Sequence, residues 1–244
     1  MWFEQDGESS EAIRHALAAE DFERAADLIE LALPALRRGR QEGAIRNWVE
    51  ALPDELLRVR RVLNVGFVGA LVASGEFEGV EARLRDAERC VQMTANTGDG
   101  PEAAADVVVV DEEQFRSVPG AIELYRAAQA LVRGDVLETV RHARRTLELA
   151  PEDDHLGRAG AAGLMGLAFW SSGDLEEGHL AYSQCVRGLQ RIGHVSDVMG
   201  CSIALRISGV RRAVSVRQCA PTSRHSNRPL SRADHSYGEP QTCT

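Results

Sequence analysis

Apolar residues recur every three to four positions along most of the first 205 residues, and this spacing predicts helices. The pattern is clearest between Gly120 and Arg187. Ile122, Leu124, Tyr125, Ala128, Leu131 and Val132 follow helical spacing up to Gly134-Asp135. Leu137, Val140, Ala143 and Leu147 then line the return helix, which closes at Pro151. A second copy runs from Ala159 to Ser172, turns at Gly173-Asp174, and returns from Leu175 to Arg187. Gly at such a turn takes the left-handed conformation that ends a helix, and Asp caps the next one. The turn glycines lie 39 residues apart.

Upstream the pattern continues. Ser9 or Ser10 caps a helix carrying Ile13 and Leu17, after a turn at Asp6-Gly7 that separates it from the apolar Trp2-Phe3. Asp21 caps its partner, Phe22 to Arg38, in which Pro34 is expected to kink or divide the helix. Gln41 to Ala51 and Glu55 to Arg60 read as shorter helices. The strongly apolar Arg61 to Ser74 turns at Gly75-Glu76 into a return helix with Val80, Leu84, Ala87 and Val91. This turn precedes Gly134 by 59 residues, and the excess over the repeat is assigned to an inserted loop, 94–118, polar and Gly-rich at its start. The divisions expected are thus 1–93, N-terminal helical repeats; 94–118, inserted loop; 119–205, further repeats; and 206–244, a tail.

Small residues at matching places (Ala127, Gly166), the Gly-Asp turns, the Gly178-x3-Tyr182 step and a terminal Pro resemble the tetratricopeptide (TPR) pattern. A single hairpin of this kind cannot bury its apolar face, so repeats must stack. The fold class expected is all-α, with TPR-like hairpins in a right-handed superhelix and a disordered C-terminal tail.

Charge and candidate chemistry add limits. The net charge is −9, but 206–244 holds seven Arg against Asp234 and Glu239, so the remaining residues carry −14. An acidic helical body is a poor nucleic-acid binder, because phosphate contacts need clustered positive charge. No run reaches the ~20 apolar residues of a membrane span, and no signal-peptide pattern opens the chain; a cytoplasmic protein without membrane contact is expected. All 28 basic residues are Arg, which reads as the codon bias of a GC-rich genome. Five cysteines without a C-x-x-C pair indicate free thiols rather than a zinc site or disulfide framework. Val107 to Glu112 looks like a Walker B strand, yet a chain without Lys has no phosphate-binding G-x-x-x-x-G-K-[ST] loop. The simpler reading is an extended lead into a helix at Glu112. His15 and His142 are expected exposed or half-exposed on helices, and the acidic loop before His155 is expected to cap a helix rather than hold a cation. No arrangement for hydrolytic chemistry is found, so no catalytic or metal-binding residue is assigned.

The tail is low in apolar residues and rich in Ser, Arg and Pro, a composition that does not fold. Back-translated from Arg206 in the other reading frame, it accommodates a further Gly turn and an Ala-x3-Tyr helix, with the Gly 39 positions after Gly173. The tail is therefore expected to be a frameshift product.

The stretches 2–30, 48–56 (Trp-Val-Glu-Ala-Leu-Pro-Asp-Glu-Leu), 134–155 and 172–176 (Ser-Gly-Asp-Leu-Glu) resemble the helical region of MalT-like, LuxR-type ATP-dependent transcriptional regulators. The resemblance covers roughly residues 2–205. It implies a truncated regulator, represented by its sensor and self-association segment. ATP belongs only to the nucleotide-binding module upstream of such a segment, and DNA contact to the helix-turn-helix downstream, so neither is expected here. A protein or small-molecule effector would meet the first helices of the hairpins at Leu124, Ala128, Leu131, Leu167 and Trp170. The plainer alternative for these five is inter-repeat core. A stand-alone TPR scaffold for protein–protein interaction is the competing reading of the whole chain.

Overall fold

A computed structural model describes the backbone of residues 2–96 and 108–206, and the side chains of 9–89 and 108–206. The described residues form helices and no strand. They are α1 (Trp2–Ala18), α2 (Phe22–Arg38), α3 (Glu42–Glu50), α4 (Asp54–Val59), α5 (Arg61–Ala73), α6 (Val80–Asn96), α7 (Glu112–Val132), α8 (Val136–Leu149), α9 (His155–Ser171) and α10 (Leu175–Arg191). A last helix, α11, covers 195–206.

Consecutive helices fold back on each other: α1 on α2, α5 on α6, α7 on α8, and α9 on α10. The first helices of the last three pairs also touch in succession, α5 against α7 and α7 against α9. The turns that make this possible share one device. Gly75, Gly134 and Gly173 sit at φ 78°, 76° and 88°. After two of them an Asp side chain caps the next helix: Asp135 accepts from the Glu138 N–H at 3.0 Å and Asp174 from the Glu177 N–H at 3.2 Å. The apolar interior is divided into three clusters: one from α1 to the middle of α7, one spanning α7 to α10, and one joining α9, α10 and α11.

Several sequence expectations change. The helix α1 runs unbroken through Asp6-Gly7, because one Gly inside a helix costs only about 1 kcal/mol relative to Ala. The helix α2 is not divided at Pro34, and α7 likewise runs on through its own Pro119. A Pro forfeits one backbone bond, and the buried residues on either side, Val118 and Ile122 in α7, keep the helix in place. The helix α6 reaches Asn96, past the expected start of the inserted loop at 94, and α7 starts at Glu112, where the extended lead was expected to enter a helix; residues 97–107 lie outside the described residues. The tail expectation also lies beyond them, from 207 onward.

On α8 the buried face is Thr139, Ala143 and Thr146, whereas Leu137 is 77% exposed. The Thr hydroxyls donate to their own helix, Thr139 to the Asp135 carbonyl at 2.7 Å and Thr146 to the His142 carbonyl at 3.1 Å. With that polar group satisfied, a Thr packs as a small apolar residue.

Candidate functional site: a cleft between first helices

Close approach of helices creates the site. From Val65 onward the helix α5 is apolar on every side, and ten of its residues, Arg61 and Asn64 among them, are buried. Two glycines let it sit between neighbours: a Cβ on Gly66 would lie 2.6 Å from Leu33 of α2, and one on Gly69 would collide with the Tyr125 hydroxyl and Arg37. Over this floor opens a cleft of about 560 Å³. Its walls come from the C-terminal turn of α2, the start of α3, the first half of α7, the α8–α9 turn and the α10–α11 junction. Val65, Val118, Ala121, Leu124, Leu156 and Ile192 supply its apolar lining.

Most charges around the cleft are already engaged. Asp111 caps α7, accepting from the Glu113 and Gln114 N–H groups at 2.9 and 3.2 Å. The Gln114 side-chain amide also donates to Asp111 at 3.0 Å, and these bonds hold its carboxyl below the usual Asp range. The Walker-B-like carboxylate is thus a helix cap, in line with the simpler reading. Asp154 caps α9 through the Gly157 N–H at 2.9 Å, as expected of the acidic loop. Arg40 pairs with Asp197 at 2.8 Å, linking the α2–α3 turn to α11 across 157 residues. Arg40 holds the left-handed position at the end of α2, φ 57°, as Glu20 does between α1 and α2 at φ 56°, whereas the turns at 75, 134, 173 and 193 use Gly. Asp197 also meets His194 Nδ1 at 3.0 Å, and the buried His194 Nε2 has no hydrogen-bond partner among the described residues. Arg37 donates from Nη2 to the Tyr125 hydroxyl at 2.9 Å.

The five sequence candidates are not brought together. Leu124 lines the cleft and packs against Gly160. Ala128 and Leu131 follow it along α7, partly buried and outside the cleft lining. Leu167 is 38% exposed on α9, also outside it. Trp170 is taken up within its own hairpin: its ring lies 4.6 Å from that of Tyr182 and over Gly178, and its buried Nε1 is unpartnered. Arg37, Arg40, His194 and Asp197 were not among the sequence candidates, and Tyr125 was read only as part of an apolar helix face. The Gly66-x2-Gly69 step inside an apolar helix was the available signal, because it marks where neighbours approach.

His15 is exposed and His142 half-buried, held by Glu123 at 2.6 Å. Cys185 and Cys201 are free thiols; Cys90, Cys219 and Cys243 lie outside the described side chains. Burial first, with Cys201 beside it, pushes the Cys185 thiol up to about 12, so it is an unreactive packing residue. Among the described residues no cluster of metal-ligating side chains is found, and no helix is long and apolar enough to cross a membrane. No family model, no curated protein and no solved structure matches the chain.

Proposed function

We propose that this chain is a non-catalytic, TPR-like binding segment whose hairpins stack as a superhelix and whose cleft receives an effector or a protein partner. The observation that carries the reading is the 560 Å³ cleft, floored by α5 and walled by α2, α3, α7, the α8–α9 turn and the α10–α11 junction. Ligand sites of about 300–1,000 Å³ with apolar walls and a few convergent polar groups are the usual form of a binding pocket. The contacts of α5 with α7 and of α7 with α9 support the stacking. The resemblance of 2–30, 48–56, 134–155 and 172–176 to the helical region of MalT-like, LuxR-type regulators supports a sensor role within such a regulator. The capping duties of Asp111 and Asp154 leave these carboxylates poorly placed for catalysis.

Two experiments test this. A thermal-shift screen of oligosaccharides, organic acids and short peptides should return ligands that stabilise the wild type and fail with Ala121→Trp, which fills the cleft. Hits that stabilise both proteins equally would reject the cleft as the site. Sequencing the genomic locus should reveal a nucleotide-binding module upstream and a helix-turn-helix downstream; open reading frames of unrelated type on both sides would reject the regulator assignment.

A further inference from the structure

We infer that the cleft selects a small organic acid, whose carboxylate sits on Arg37 and the Tyr125 hydroxyl while its apolar body lies along Val65, Ala121 and Leu124. This rests on the cleft being the binding site and adds the chemical class of the ligand.

The inference follows from which charges are free. Asp111 and Asp154 are occupied by helix N–H groups, and Asp197 by Arg40 and His194. Asp153 lies 3.8 Å from Arg116. Among the described residues Arg37 has the neutral Tyr125 phenol as its partner, so its charge meets no carboxylate. The free carboxylate of Glu113 stands twelve residues before Tyr125 on α7, roughly 18 Å away at 1.5 Å per residue.

A half-buried guanidinium held in place by one phenol offers its remaining N–H groups to a carboxylate in fork geometry, and Tyr125 can donate its hydroxyl proton to the same anion. Gly69 keeps this corner open, because any side chain there would occupy the space of both groups. At about 560 Å³ the cleft falls within the roughly 300–1,000 Å³ range of small-molecule pockets.

The test uses 4-phenylbutyrate and its neutral isostere 4-phenylbutanamide, titrated into the full chain by calorimetry. The acid should bind, and the amide should bind at least tenfold more weakly. Arg37→Gln should weaken the acid at least tenfold and leave the amide unchanged, Arg37→Lys should retain part of the preference, and Tyr125→Phe should weaken the acid a few-fold. Arg133→Gln, outside the cleft, should change neither. Equal binding of acid and amide, both lost in Ala121→Trp, would keep the cleft and overturn the carboxylate seat. Absence of acid binding up to millimolar concentration, or an acid preference that survives Arg37→Gln, would also overturn it.

Discussion

Glu30 shows how one residue sets a property of the whole chain. Its side chain is fully buried on α2, and among the described residues neither oxygen has a hydrogen-bond partner of good geometry. Burial pushes its carboxyl from an ordinary 4.5 to about 7, with Arg60 at 3.9 Å and the Leu63 amide at the start of α5 offsetting part of the cost, and Asp27 and Asp111 adding to it. Arg60, itself buried, is held by Glu23 and Asp27 at 2.6 Å each, so it does not belong to Glu30 alone. In this pH range the folded protein holds the Glu30 proton more tightly than the unfolded chain does. Stability from this group therefore falls as pH rises from about 4.5 to about 7 and is level above. Glu30→Gln should remove that fall and stabilise the protein at pH 8 by on the order of 1–3 kcal/mol. Urea unfolding at pH 5 and pH 8 checks this; an equal pH dependence in both proteins would be the contrary result. Little in the sequence announces Glu30. Its spacing from Glu23 and Asp27 reads as a charged face, and only the packing of α5 reveals that the last member points inward.

Among the elements, the hairpin of α9 and α10 separates two contributions that sequence motifs run together. Asp174 satisfies one backbone donor at a solvent-exposed turn, so Asp174→Ala should cost about 1 kcal/mol. Gly178 instead makes room for the Trp170 ring, and its Cβ would collide with rigid indole atoms. Gly178→Ala should cost more, about 1–3 kcal/mol, because the two helices must part. Thermal unfolding of both variants gives the order, and a smaller effect at Gly178 would contradict the packing. This hairpin was legible because its turn chemistry and its small residues are both local. The buried face of α8 was less so: apolar spacing favoured Leu137 over Thr139 and Thr146, and hydroxyls that bond within their own helix do not register as apolar. Continuity through Pro34 was likewise hidden, since the tertiary contacts that hold the helix are absent from the local sequence.

At the scale of the molecule, the cleft is a product of order along the chain. Residues from α2, α5, α7 and α9 meet there because α5 packs on both α2 and α7, and α7 on α9, and the Arg40–Asp197 pair ties the α2–α3 turn to α11. The sequence expectation placed a binding face on the first helices, and of its five candidates Leu124 lines the cleft. The others were chosen by periodicity alone. That periodicity fixes which side of a helix is apolar, and not whether a neighbour covers it, as Tyr182 and Gly178 cover Trp170. The polar groups of the cleft come from helix ends and turns, where no periodic signal exists.

The most direct measurement is a methyl NMR titration of the full chain with small probes of apolar body, 4-phenylbutyrate and 4-phenylbutanamide among them. The expected result is a set of shifts at Val65, Val118, Leu124, Leu156 and Ile192, with the exposed Val132, Leu137 and Leu180 unmoved. Shifts centred on Val132, Leu137 and Leu180, with the cleft methyls silent, would contradict a binding site between the first helices.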